Sequence, residues 1–405
     1  MASQILPDMV AATRLVGAGK LGEATALIQR LLRGATPSPP APAADSPIIE
    51  GTAVTVDSTA RQALPAPAAA QPAPSPGHAG RRPPRPRTGL AETLRGLAGR
   101  VMPAGFDHGV GGLARPAPEP LAAGASFETA SFANAAGTRD YKLYRPGRSG
   151  DQKRPLIVML HGCTQSPDDF AAGTRMNALA EAQGCFVAYP AQSATVNLQK
   201  CWNWFNPDDQ RRDQGEPSLI AGITRQIIHD HPIDPSRVYI AGLSAGGAAA
   251  AIMGATYPEL YAAVGVHSGL PAGAASDLPS ALTAMRQGAA AGGGNSRRVP
   301  TIVFHGDQDA TVHPRNGDAI VSQTTASLTG LHSTVRHGVV PDGHAFSRTV
   351  HADAAGRIWC EQWTIHGAGH AWAGGSRSGS YTDPRGPDAT REMLRFFFES
   401  PPRRA

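Results

Sequence analysis

The sequence predicts a mostly parallel α/β sheet with helices on both faces, and two observations lead there. From about Gly124 onward short β-rich runs alternate with amphipathic stretches, the pattern of repeated strand-helix-strand units. One of those runs, Val238-Tyr239-Ile240-Ala241-Gly242-Leu243, stops at Ser244 and continues as Ala245-Gly246-Gly247. This is a G-x-S-x-G turn from strand to helix, in which small neighbours let the two elements close up and leave the serine hydroxyl exposed. In such sheets chemistry gathers at the carboxyl ends of the strands.

The candidate strands are 141–144, 156–160, 185–189, 237–241, 262–266, 301–304 and 363–365. Between them the clearest helical patterns are 177–182, 219–229, 244–257, 315–328 and 389–398. Upstream the organisation changes. Residues 1–34 carry apolar side chains at helical spacing (Leu21, Ala24, Leu27, Ile28, Leu31) and read as a helical hairpin, expected to dock or dimerise, with a granule or protein partner as the sharper alternative. Residues 35–123 are rich in Pro, Ala and Arg, with one short helical pattern near 90–101. Proline removes backbone donors and the apolar side chains there are too small for a core, so this stretch reads as a largely disordered linker. Residues 124–400 form the expected catalytic domain.

Composition narrows the function. With 405 residues and 41% hydrophobic content there is room for one large domain plus an appendage. The net charge of +5 draws much of its excess from Arg/Pro-rich segments and the terminal Arg403-Arg404, so no nucleic-acid partner is inferred. The four cysteines, Cys163, Cys185, Cys201 and Cys360, are too few for a disulfide scaffold, match no zinc spacing and could supply one bridge. No stretch has the length of a membrane span, and the first residues show no basic run followed by an apolar core. The expectation is no secretory signal and a cytoplasmic setting.

A serine hydroxyl is a weak nucleophile near neutral pH and needs a histidine base held by an acid. In this type of sheet the order along the chain is Ser, then Asp or Glu, then His. The strand Pro300-Thr301-Ile302-Val303-Phe304 opens into His305-Gly306-Asp307-Gln308-Asp309-Ala310-Thr311-Val312, where Asp307 and Asp309 are both candidates and the H-G-x-x-D-x-x-V pattern favours Asp309. After the last strand comes His366-Gly367-Ala368-Gly369-His370-Ala371-Trp372, where His370 combines correct order, a glycine-rich loop and a following aromatic. His366, His344 and His351 remain alternatives among the 14 histidines. Acyl transfer also requires donors aimed at the developing oxyanion. Leu160-His161-Gly162-Cys163-Thr164-Gln165 ends an early strand where such a loop stands, so the backbone N–H groups of Cys163 and Ala245 are the expected donors.

The segments Leu160 to Gln165, Cys201-Trp202-Asn203-Trp204-Phe205, Gly242 to Gly247, His305 to Asp309 and Gly369-His370-Ala371-Trp372, in this order, resemble the polyhydroxybutyrate (PHB) depolymerase family of esterases, whose relatives include feruloyl and acetylxylan esterases. The resemblance runs from about Gly124 to Phe398. It implies an α/β-hydrolase fold, a Ser244-Asp309-His370 triad, an ester substrate such as a short hydroxyalkanoate oligomer, and no metal or organic cofactor. It also implies that an extracellular setting is open. Trp202, Trp204 and Trp372 are expected to wall the acyl groove, with core packing as the alternative for the first two, and Thr164 stands among the substrate-binding candidates. A Cys163–Cys201 pair would tie the aromatic loop beside the oxyanion loop; in a reducing compartment both stay thiols.

Overall fold

Strand β3 (Arg154–Leu160) and strand β5 (Ile233–Leu243) show why the chain folds as it does. Leu156, Val158 and Leu160 pack with Val238 and Ile240 on one face, while Ile157 and Met159 pack with Tyr239, Ala241 and Leu243 on the other. Strands apolar on both sides are those of a parallel sheet buried between two helical layers. In a computed structural model of the chain, residues 121–147, 152–289, 299–326 and 328–402 are described. The expected hairpin, most of the linker and the short helix near 90–101 lie outside them.

The remaining strands are β1 (Ser126–Asn134), β2 (Gly137–Arg145), β4 (Phe186–Pro190), β6 (Ala263–His267), β7 (Thr301–Gly306), β8 (His332–Val339), β9 (Ala345–Ala352), β10 (Ile358–Ile365), β11 (Trp372–Ala373) and β12 (Thr382–Asp383). The first ten form one sheet in the order β1-β2-β4-β3-β5-β6-β7-β10-β9-β8. From β4 to β10 neighbours run parallel; the β1–β2 and β8–β9 hairpins add antiparallel flanks.

The helices are α1 (Pro167–Thr174), α2 (Met176–Gln183), α3 (Gly215–Asp230), α4 (Ala245–Thr256), α5 (Leu278–Gln287), α6 (Arg315–Thr325) and α7 (Ala389–Glu399). Helices α3 to α6 share one core with their face of the sheet, and α1, α2 and α7 share the other. Every strand and helix expected within the described residues is present, usually longer by a few residues. The expectation omitted β1, β8, β9, β11, β12, α1 and α5. Most of β8 is exposed and it alternates no apolar residues, so an edge strand of this kind leaves no period-two signal. Helix α5 is announced only by its cap, in which Asp277 and Ser280 bond each other's backbone reciprocally. No helix among the described residues is long and apolar enough to cross a membrane.

One buried charge cluster fastens the C-terminal helix. Glu361 on β10, its side chain fully buried, accepts from Arg348 of β9, Arg395 of α7 and the Trp363 indole N–H. On the same helix Phe397 stacks on Tyr239 of β5 with ring centroids 4.9 Å apart. Removing one partner of a buried ion cluster leaves the others uncompensated. Glu361→Gln is therefore expected to cost about 3 kcal/mol of unfolding free energy, read from urea melts against the wild type; a loss below experimental error would show that the two arginines are satisfied by solvent.

Candidate active site

Strand β5 delivers Ser244 into a backbone conformation that side-chain-bearing residues rarely adopt, with φ 57° and ψ −120°. Helix α4 begins at the next residue. The turn is held by Ser244 N–H donating to the His267 carbonyl (2.9 Å) and Ala248 N–H donating to the Ser244 carbonyl (2.9 Å). Its glycines answer to space: a Cβ on Gly246 would stand 2.1 Å from the Leu160 carbonyl oxygen, and one on Gly242 would stand 2.3 Å from the Gly246 backbone. Both distances are far inside contact, so the start of α4 can press against the end of β3 only without those side chains. The Ser244 residue is half-buried.

The loop after β3 lies beside it. A Cβ on Gly162 would be 3.6 Å from the Ser244 Cβ, which places the His161-Gly162-Cys163 turn next to the hydroxyl-bearing carbon. Among the described residues the Cys163 and Ala245 N–H groups have no protein hydrogen-bond partner, while those of Gly162, Thr164 and Gln165 are taken by Gln165 Oε1, the Gln199 carbonyl and the Gly162 carbonyl. Gln165, buried, also donates through Nε2 to Asp169 and to the Ser380 carbonyl, bracing the loop against the segment near Tyr381. Thr164 is exposed at φ 65°, with its hydroxyl 3.2 Å from the Tyr381 hydroxyl. Nothing in the sequence singled out Tyr381, because its approach depends on a contact across 217 positions.

The two candidate acids part company in space. Asp309 is buried, and its Oδ2 lies 2.7 Å from His370 Nδ1. Its Oδ1 accepts the N–H groups of Thr311 and Val312. Behind it, His305 Nε2 donates to the Val312 carbonyl (2.8 Å) and stands 3.4 Å from Asp309 Oδ2. Burial alone would raise the Asp309 pKa, but the hydrogen bonds and charge of His305 and His370 outweigh it and hold the carboxyl well below its ordinary range. Asp307 instead accepts from His366 Nδ1 (3.0 Å) and from the Gly367 N–H (2.8 Å), stapling the loop that carries His370. His344 pairs with Asp383 and His351 meets Ser333, both away from Asp309.

His267 joins the serine turn to the histidine loop. Its carbonyl holds Ser244 N–H, and its Nε2 accepts the Ala373 N–H at 3.0 Å, three residues past His370. The ring is stacked between Phe304 and Trp372. Burial chiefly, with repulsion from His305 and His370, lowers its pKa to about 3, so this imidazole is neutral and fixed as an acceptor.

Three expectations need correction. Trp372, expected to line the pocket, is 1% exposed, stacked on His267 and bonded to Thr390, so it supports the histidine loop from beneath. Trp202 is fully buried, with its indole N–H on the His161 carbonyl (3.1 Å), and Trp204 is nearly so, edge-on to Phe205. Core packing, the alternative, describes both. Cys163 and Cys201, which the sequence left open as a bridge or as two thiols, are joined by a disulfide, with the Thr164–Gln199 bond holding the two loops side by side. Cys185 and Cys360 are free and buried, and burial pushes the Cys185 thiol up to about 12.

The family model described as "Esterase PHB depolymerase" matches residues 139–337, a span that includes Ser244 and Asp309 and ends before His370. Poly(3-hydroxyalkanoate) depolymerase C of Paucimonas lemoignei is 37% identical over 229 residues, covering 53% of this chain and 54% of that protein. Feruloyl esterase B of Thermothelomyces thermophilus is 30% identical over 210 residues, covering 47% of this chain and 71% of its own. The chain thus spans about half the length of the depolymerases it matches. The solved acetyl xylan esterase from Aspergillus awamori superposes with a TM-score of 0.51 at 19% identity, over 67% of this chain and 99% of that one, and shows the same α/β-hydrolase fold.

The buried histidines predict how stability follows pH. An unfolded histidine takes a proton below about 6.5, whereas His267 in the fold refuses it down to about 3. The unfolded state therefore binds more protons in that window, and stability falls on acidification by about 1.4 kcal/mol per pH unit for this group. His267→Phe should remove that amount from the slope of stability between pH 6 and 5, measured by urea melts; an unchanged slope would mean that the ring takes a proton in the fold.

Proposed function

The chain belongs to the PHB depolymerase family of esterases, and on that premise we propose that it is a serine carboxylic-ester hydrolase working through Ser244, His370 and Asp309. The observation that carries the reading is the 2.7 Å contact of Asp309 with His370 Nδ1, on the loop that His267 ties to the Ser244 turn. With Nδ1–H held by a carboxylate, Nε2 is the basic nitrogen, and it takes the proton as the Ser244 Oγ attacks an ester carbonyl. The Cys163 and Ala245 N–H groups receive the charge that develops on the carbonyl oxygen, helped at Ala245 by the N-terminus of α4. Collapse expels the alcohol, protonated by His370, and leaves an acyl-enzyme on Ser244. Water then repeats the sequence, with His370 again as base.

The substrate we propose is a short-chain hydroxyalkanoate ester or oligomer. This rests on the likeness to the depolymerases; feruloyl or acetylated polysaccharide esters are the second reading, favoured by the likeness to the feruloyl esterases. The burial of Trp202 and Trp372 removes the aromatic wall as an argument for either. A granule or protein partner for residues 1–34 stays a separate proposal, tested by whether deleting residues 1–87 abolishes granule co-sedimentation while esterase activity is kept.

Ser244→Ala should lower hydrolysis of p-nitrophenyl butyrate by about 10⁴- to 10⁶-fold at matched folding; wild-type rates in that variant would end the proposal. Asp309→Asn should fold and lose about 10³- to 10⁴-fold in kcat, because the amide favours the wrong imidazole tautomer. Hydroxybutyrate trimers assayed beside methyl ferulate then decide the substrate: faster turnover of the ferulate would overturn the hydroxyalkanoate assignment.

A further inference from the structure

We propose that Glu216 is a positioning residue for the oxyanion loop, acting through the segment between β4 and α3; the proposal rests on the esterase reading above, in which the Cys163 N–H is an oxyanion donor. From residue 191 to 207 that segment contains neither helix nor strand, yet it is the wall against which the oxyanion loop leans. Cys201 is bonded to Cys163, the Gln199 carbonyl accepts the Thr164 N–H (2.6 Å), Trp202 Nε1–H donates to the His161 carbonyl, and Gln192 N–H donates to His161 Nε2 (3.0 Å). With Nε2 an acceptor, His161 Nδ1 carries the proton and donates to the Gly162 carbonyl at 2.7 Å.

A long irregular segment is placed only as well as its anchors place it. Its anchor is one buried carboxylate. Glu216, in the first turn of α3, accepts the Asn203 backbone N–H through Oε2 (2.8 Å), and through Oε1 the Asn203 side-chain N–H (2.9 Å) and the Gln192 side-chain N–H. Gln192 Nε2 also reaches the Cys201 carbonyl (2.9 Å). The two ends of the segment, at Gln192 and Asn203, are thus pinned to one side chain, and those ends hold His161 and Cys163.

The charges around Glu216 come from two elements. Arg139 of β2, equally buried, stands 3.7 Å away, and among the described residues its Nε and Nη1 have no hydrogen-bond partner. Asp209, in the turn before α3, accepts the Glu216 N–H and opposes its charge. Burial above all, with Asp209, pushes the Glu216 carboxyl up to about 7 against the bonds from Asn203 and Gln192 and the charge of Arg139. A carboxylate kept in so costly a place does what an apolar side chain cannot: it offers acceptors alone to three N–H donors. Protonation, or an amide in its place, turns one acceptor into a donor facing a donor.

The test uses the full-length chain and p-nitrophenyl butyrate. Glu216→Gln should lower kcat by about 10- to 100-fold with KM within about twofold, while the thermal melt stays cooperative. The acid limb of the wild-type kcat profile is expected to carry a second ionisation near pH 7 beside that of the catalytic histidine, and Glu216→Gln should lose it. Asn203→Ala, at a half-buried position, removes one of the three bonds and should lower kcat several-fold. A kcat within twofold of wild type in a folded Glu216→Gln protein overturns the proposal; if that variant does not fold, an unchanged kcat in Asn203→Ala overturns it instead. Ser244→Ala, run in parallel, separates the two layers. Turnover surviving there ends the esterase reading, whereas loss of turnover there with a normal Glu216→Gln ends only the positioning role.

Discussion

The structure depends on a close approach of backbone to backbone at the end of β5. Ser244 occupies left-handed space because α4 must start with its first turn against the Leu160 and His161 carbonyls, and that contact is possible only where Gly246 has no side chain. Strain of this kind survives when the surroundings over-determine it. Here the determinants are two backbone bonds, the apolar strand on one side and a largely buried alanine-rich helix on the other. The same approach that strains the serine also brings the β3 loop beside it, so the turn and the two unpartnered N–H groups are consequences of one packing decision.

Around that turn the supports are mostly neutral and mostly hidden. His161 and His267, both buried and both held uncharged by burial, serve as fixed donors and acceptors for loop backbone. Asp309, by contrast, is kept charged by the imidazoles that face it. The site therefore separates two uses of the same chemistry: histidines locked in one tautomer hold geometry, and a histidine beside a persistent carboxylate is left only partly buried.

How much of this the sequence discloses follows from what each feature requires. The central strands are legible because burial on both faces demands unbroken apolar runs, and the Ser244 turn is legible because only small residues tolerate it. The Asp309–His370 pair is legible through chain order, the H-G-x-x-D-x-x-V pattern and the glycine-rich loop before His370. Trp202 and Trp372 misled because an indole suits a groove and a core equally well, and only contacts with His161 and His267 decide between them. Gln165, Tyr381 and Glu216 were invisible for a related reason: each acts through partners far along the chain or through a loop with no period of its own.

The distances along the chain carry a kinetic meaning. Gln165 meets Ser380 across 215 positions, and Thr390 of the last helix donates to the Thr174 carbonyl across 216. Loop closure over such separations is slow and brings no reward until the distant partner has arrived. A chain emerging from the ribosome can complete β3, β5 and the serine turn long before the segment bearing His370, and α7 after it, exist to dock. The apolar sheet face meant for α7 stands open through that interval, which makes the stretch between the synthesis of β5 and the arrival of Phe396 and Phe397 the period in which this protein is most exposed to aggregation.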